Sequence, residues 1–296
     1  MSLLALISGT GYGDFRTSFS EGRQAVSQKQ FDLAIQKYGE AAKQTSIPGQ
    51  RYQALFAMAK AYGMKGEWEK AEEIILQILN DKNIPAQNRM SAQVFLGDCK
   101  LKQKKIADAA AAYQKVSAYG IRNNESYYAL LSCGNLYGQL KKYDEAKKCY
   151  QSLIDDPNVD ANRKNRAKVG MGNILFNQGK FREAVSLLTS IAADTGIPAN
   201  LRADAFTGIA RSQYKMKAYK DAYDADLSVI ALDGIPAYFK ASAYMQAITI
   251  QGGIFHNYTQ AKKLLNDFEK MPGLNASQKK WISNYRAKIR KAEHTL

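Results

Sequence analysis

The sequence predicts an all-α chain: a solenoid of about seven helix pairs closed by a C-terminal helix. Three observations carry this prediction. First, an aromatic residue or Ile is followed three positions later by Ala at Phe31–Ala34, Trp68–Ala71, Ile106–Ala109, Tyr143–Ala146, Phe181–Ala184, Tyr219–Ala222 and Tyr258–Ala261. Successive alanines stand 37, 38, 37, 38, 38 and 39 residues apart, and so steady a period marks a repeat architecture. Second, only 6 of 296 residues are proline while Ala and Lys are frequent, a composition that favours helix over sheet. Third, the apolar residues between the alanines recur at helical spacing.

Each unit reads as two amphipathic helices. In the fourth, Leu130, Cys133, Gly134 and Tyr137 fall at i, i+3, i+4 and i+7, one stripe of a first helix. A break at Leu140–Lys142 follows, and Tyr143, Ala146, Tyr150 and Leu153 make a second stripe. A turn this short folds the two helices into a hairpin. Small residues recur at one place in the first helix: Gly22, Ala59, Gly97, Gly134, Gly172 and Ala210. The repeating alanine is expected to face them, and a larger side chain at either place to overpack the pair.

The joins between units have their own pattern. Ile-Pro recurs at Ile47–Pro48, Ile84–Pro85, Ile197–Pro198 and Ile235–Pro236, where proline opens the next helix without losing a needed hydrogen bond. A basic residue follows at Arg51, Arg89, Lys164 and Arg202. A cation near a helix N-terminus is disfavoured, so it is expected to cap carbonyls of the preceding helix, or else to form a basic rim. In the tail, Trp281, Ile282, Tyr285 and Ile289 line one face, the cover that a terminal repeat needs. The division is therefore residues 1–14 as an N-terminal extension, 15–278 as the repeats and 279–296 as the capping helix.

Lys and Arg outnumber Asp and Glu by 42 to 27, a formal +15, so an anionic partner is expected. Three cysteines make no disulfide framework. Paired helix axes lie about 8–10 Å apart, beyond the ~7 Å Cα separation a disulfide tolerates, so Cys133 and Cys149 are expected as buried free thiols. No stretch approaches the ~18 apolar residues of a membrane span. The opening "MSLLALISGTGYGDF" reads equally as the end of a cropped signal peptide, a vector scar or a frayed end, which leaves the compartment, cytoplasmic or exported, open.

The residues resemble the tetratricopeptide repeat. "FAMAKAYGMKGEWEKAEEIILQIL" carries Ala59, Tyr62, Gly66, Trp68 and Ala71 in that family's register, and "GNLYGQLKKYDEAKKCYQSL" and "GNILFNQGKFREAVSLL" follow it closely. The period exceeds the family's usual ~34 residues, so the joins between units are long. Asp226 stands where a large apolar residue is expected, and Thr249 and Gly252 interrupt the last first helix, so the packing of units six and seven is expected to depart from the rest. The resemblance implies a right-handed α-α superhelix whose concave face is lined by the first helices.

Projected onto this sequence, that face carries Arg16, Arg23, Lys60, Lys102, Arg166, Arg211 and Lys215 against Asp98 and Asp204. Asn135, Asn173 and Arg211 take equivalent places in three successive units. An Asn amide can pair with an extended peptide backbone and an Arg can grip a carboxylate. Tyr128, Phe176 and Tyr214 add aromatic area beside them. The family's clamp for acidic chaperone tails also needs lysines one turn earlier, where Leu131, Val169 and Thr207 stand, so chaperone-tail binding is not expected.

The two histidines, His256 and His294, and the cysteines show no zinc spacing, and no nucleophile, base and orienter set is visible. No catalytic residue, metal or cofactor is expected. The function read from the sequence is a scaffold or adaptor that holds a protein or acidic peptide on its concave, basic face. The alternative is nucleic-acid binding through basic runs such as "KLKQKK" and "NRKNRAK". Attachment to an anionic membrane would need a basic amphipathic helix, and only the tail qualifies.

Overall fold

A computed structural model describes residues 10–293. Most of the 1–14 extension, and His294, lie outside the described residues. The chain divides into two compact units, one up to Leu153 and one from Ile154.

The first unit holds four helix pairs: α1 (Thr10–Ser27) with α2 (Phe31–Lys43), α3 (Pro48–Lys65) with α4 (Trp68–Asn80), α5 (Ala86–Lys102) with α6 (Ile106–Gln114), and α7 (Asn124–Gln139) with α8 (Tyr143–Ile154). A 3₁₀ turn, Lys115–Tyr119, extends the third pair. The second unit holds α9 (Ala161–Asn177) with α10 (Phe181–Ala193), α11 (Ala199–Lys215) with α12 (Tyr219–Ala231), and α13 (Ala237–Thr249) with α14 (Tyr258–Glu269), followed by α15 (Ala276–Glu293). Among the described residues no regular element is a strand. The first helix, α1, begins at Thr10, within the glycine-rich "GTGYGDF".

The repeating pair of residues fixes each second helix. Phe31, Trp68, Ile106, Tyr143, Phe181, Tyr219 and Tyr258 are the first residues of the seven second helices. The seven alanines one turn later are all fully buried. Two residues ahead of each aromatic, or of Ile106, the chain turns through a left-handed conformation. Gly66 and Gly179 hold that place in two pairs, with φ of 87° and 76°. Lys29, Lys104, Lys141, Lys217 and His256 hold it in the others, with φ between 54° and 63°. Such a conformation ends a helix abruptly and suits glycine.

First helices also touch the first helix of the next pair: α3 with α5 and α5 with α7 in one unit, α9 with α11 and α11 with α13 in the other. They therefore form a shared face within each unit.

The four glycines among the recurring small residues of the first helices, Gly22, Gly97, Gly134 and Gly172, do not meet the repeating alanine first. They face the residue four places beyond it. A Cβ on Gly22, Gly97 or Gly134 would stand 2.4–2.6 Å from the rings of Tyr38, Tyr113 or Tyr150, and one on Gly172 would stand 2.8 Å from Leu188. In each of these pairs the partner lies 16 residues on. The reason is leverage: an alanine side chain is too short to span the pair, so a larger side chain fills the gap and glycine makes room for it.

The same 16-residue register corrects the reading of the cysteines. Cys133 and Cys149 are 16 apart, their Cα atoms lie 6.1 Å from each other, and a disulfide joins them. Axes about 9 Å apart still bring facing Cα atoms closer, because each Cα stands off its axis toward the partner. Cys99 is a buried free thiol, its pKa pushed up to about 12 by burial.

Units six and seven depart as their sequences suggested. Asp226 stands 16 residues after Ala210, is only 3% exposed, and has a carboxyl oxygen, Oδ2, without a hydrogen-bond partner. Burial pushes its pKa up to about 8. In the last pair, 21 residues separate Ala237 from Tyr258, whereas 20 separate Ala86 from Ile106 and Ala199 from Tyr219. The extra residue is taken up by a π-helical turn, Ile250–Ile254. Gly252 and Gly253 in that turn leave room for Tyr285 of α15, whose hydroxyl donates to the Ile248 carbonyl at 3.3 Å. Ile282, Tyr285 and Ile289 are buried with Ile248, Leu264, Leu265 and Phe268 in one cluster, and Trp281 packs half-buried at its edge. Burying side chains of this kind contributes about 1.5–3 kcal/mol each.

The basic residues after Ile-Pro do not act alike. Arg202 Nε donates to the Ala192 carbonyl in the last turn of α10 at 3.1 Å, which is the capping role. Arg51 pairs instead with Asp81 at 3.5 Å.

Candidate functional site: the face of the first helices

In the second unit, α9 and α11 bring most of the expected side chains to one face. Arg211 lies over the Phe176 ring, its guanidinium carbon 4.1 Å from the ring centre. A cation at that distance is held by the ring's electron-rich face. Phe176 is itself propped by Phe181, with ring centres 5.4 Å apart. Arg211 remains exposed, as do Asn173 and Lys215. Arg211, Tyr214 and Lys215 follow at i, i+3 and i+4, so α11 presents them together. Tyr214 is half-buried and packs edge-on against Tyr219 at 5.4 Å. Arg166 is exposed and close enough to Asp204 for its charge to act on that carboxyl. Burial raises the Asp204 pKa, Arg166 draws it down, and burial prevails.

A cleft of about 300 Å³ opens beside Tyr214, lined also by Ser242, Met245, Gln246, Thr249 and Trp281. The sequence did not announce this cleft. Trp281 was legible only as part of a capping face, and nothing in its spacing showed that its edge would meet α11 and α13. Gln246 is fixed there by donating to the Ala210 carbonyl at 3.2 Å.

In the first unit the expected residues are partly engaged by the protein itself. Lys60 Nζ sits 4.4 Å over the Phe56 ring. Asp98 accepts from the Tyr113 hydroxyl at 2.5 Å and from Tyr128 at 3.2 Å. Tyr128 nevertheless remains 48% exposed. Asn135 Oδ1 accepts from the Tyr150 hydroxyl at 2.7 Å. Its acceptor is thus committed to the fold, which leaves its amide N–H groups as the part that can serve a ligand. The seven basic residues of the projected face, Arg16, Arg23, Lys60, Lys102, Arg166, Arg211 and Lys215, are all exposed.

The helix pairs match what is known of one repeat. The sequence model of the tetratricopeptide repeat matches residues 128–158, which cover most of α7 and all of α8, and the other six pairs repeat the buried alanine of that pair. Residues 128–158 are a tetratricopeptide repeat, and the chain has the fold of a solenoid of such repeats. Its fold is similar to a tetratricopeptide repeat protein from Parabacteroides merdae, at 16% identity and a TM-score of 0.55, over 91% of this chain and 97% of that one. It is similar also to the apo form of RapI, at 13% identity and a TM-score of 0.63, over 86% and 75%. A third likeness is to PilW, a widely conserved type IV pilus biogenesis factor, at 16% identity and a TM-score of 0.55, over 79% and 99%. No curated protein matches the chain. Among the described residues of this repeat protein, no helix is long and apolar enough to cross a membrane.

Proposed function

We propose that this protein is a non-enzymatic scaffold that holds a partner protein on the concave face of its first helices, gripping an extended acidic segment. The observation that carries the reading is Arg211 laid on Phe176 beside Asn173, Tyr214 and Lys215. Phe176 holds the guanidinium in place, so a carboxylate meets a donor that has already lost much of its freedom. The Asn173 amide suits a peptide backbone.

The charge runs that favoured nucleic acid are partly consumed within the fold. Lys100 of "KLKQKK" pairs with Glu72 at 2.5 Å, and Arg163 of "NRKNRAK" pairs with Asp160.

Changing Asn173→Ala and Arg211→Ala together tests the reading. Affinity for the partner should fall at least about tenfold, the loss of one charge-assisted contact, with the melting temperature lowered by no more than a few degrees through the lost ring contact. Unaltered affinity would remove this face as the binding site.

A further inference from the structure

We infer that the outer face of α15 is a second interaction surface, separate from the first-helix face, and that it rests on an anionic lipid bilayer. Between Tyr258 and Glu293 the chain carries nine Lys or Arg against three Asp or Glu, an excess of six within a total of fifteen. The acids there are largely engaged. Glu293, the only acid in α15, pairs with Lys262 at 2.6 Å, and Glu269 pairs with Arg286 at 3.0 Å. Lys279, Lys280, Lys288 and Arg290 stand exposed on α15. At about 100° per residue they spread over about half of the helix circumference, and Ser283, Asn284 and Ala287 are exposed among them.

This composition selects the occupant. A protein interface needs large apolar or aromatic anchors and is poor in lysine, and this face has the reverse. A nucleic-acid strand presents its phosphates in a line, whereas these cations are spread over a broad patch, which suits a two-dimensional array of headgroups. The apolar side of α15 is committed to the core, so the helix adsorbs rather than inserts. One apolar group is at hand: Phe255 is 44% exposed and is followed by His256, which lines a cleft together with Lys288.

Co-sedimentation of the full chain with vesicles tests the inference. Vesicles of phosphatidylcholine with about a third phosphatidylserine should carry the protein down, and phosphatidylcholine alone should not. Raising salt to about 0.5 M should release it. Lys279→Gln, Lys280→Gln and Arg290→Gln together should weaken binding on the order of 100-fold. The charge-keeping set Lys279→Arg, Lys280→Arg and Arg290→Lys should bind like the parent. Arg166→Gln, Arg211→Gln and Lys215→Gln together should leave binding in place. Equal sedimentation with neutral vesicles, equal loss with the first-helix-face variant, no sedimentation at all, or capture by a nucleic-acid duplex without capture by vesicles would each overturn the inference. Loss of partner binding in the Asn173 and Arg211 variant is read independently of it.

Discussion

Asp226 should make this protein more stable in mild acid than at neutral pH. An unfolded Asp titrates at about 3.9, and in the folded chain burial pushes Asp226 up to about 8. The folded state therefore keeps its proton over a range in which the unfolded state has lost it. Stability is complete below about pH 4, falls by about 1.4 kcal/mol per pH unit as pH rises, and levels off above about pH 8. The total is roughly 6 kcal/mol, of which roughly 4 is lost between about pH 5 and about pH 8. The window belongs to this residue. Carboxyls held low by their partners, such as Glu72 beside Lys100 and Asp160 at the start of α9, act only at lower pH. The contribution of Asp204, which burial also raises, is common to parent and variant. Two variants separate charge from shape. Asp226→Asn should flatten most of the slope. Asp226→Leu, which restores the side chain that Leu188 supplies at the equivalent place in the preceding pair, should be more stable than the parent above about pH 7. Urea unfolding followed by circular dichroism from about pH 5 to about pH 9 measures all three. A parent whose stability does not change across that range, or an Asp226→Leu variant less stable than the parent at about pH 8, would refute the reasoning.

Three further outcomes follow from the packing. Ala146→Leu should cost about 1–3 kcal/mol, because Ala146 is fully buried in α8, and a variant that melts like the parent would contradict the register of the repeat. Thiol titration of the denatured, unreduced chain should find one thiol, Cys99, and three after reduction, whereas three before reduction would contradict the Cys133–Cys149 bond. Lys141→Gly should raise stability by about 1 kcal/mol, since Lys141 holds a φ of 58° that glycine adopts without strain; a loss in thermal melting would show that the lysine side chain matters more there.

Most of the fold was legible because one physical requirement repeats. A helix pair needs small residues where the backbones meet, and seven alanines at a steady period announced seven pairs. The partner of the small residue differs from the expected alanine at Gly22, Gly97, Gly134 and Gly172. Sequence spacing shows which positions share a face but not how far each side chain reaches, and it is the reach of Tyr38, Tyr113 and Tyr150 that decides the contact. With the register of 16 in hand, the proximity of Cys133 and Cys149 becomes readable as well. The π-helical turn left its mark as one surplus residue before Tyr258. The candidate site was less legible. Exposure of Arg211 and Lys215 followed from their helix faces, but the seat of Arg211 on Phe176 and the commitment of Asn135 to Tyr150 depend on rotamers. The cleft at Trp281 depends on where α15 docks, and no local pattern encodes that.

The scaffold reading is tested most directly by site-specific photo-crosslinking in native lysate. A photoreactive residue would replace Asn173 on the first-helix face in one preparation and Thr189, exposed on α10, in another. The Asn173 probe should capture a defined protein, nuclease treatment should leave the capture intact, and adding Arg211→Ala should abolish it. The Thr189 probe should capture nothing comparable. Equal capture from both positions, or capture that disappears with nuclease, would contradict the scaffold reading.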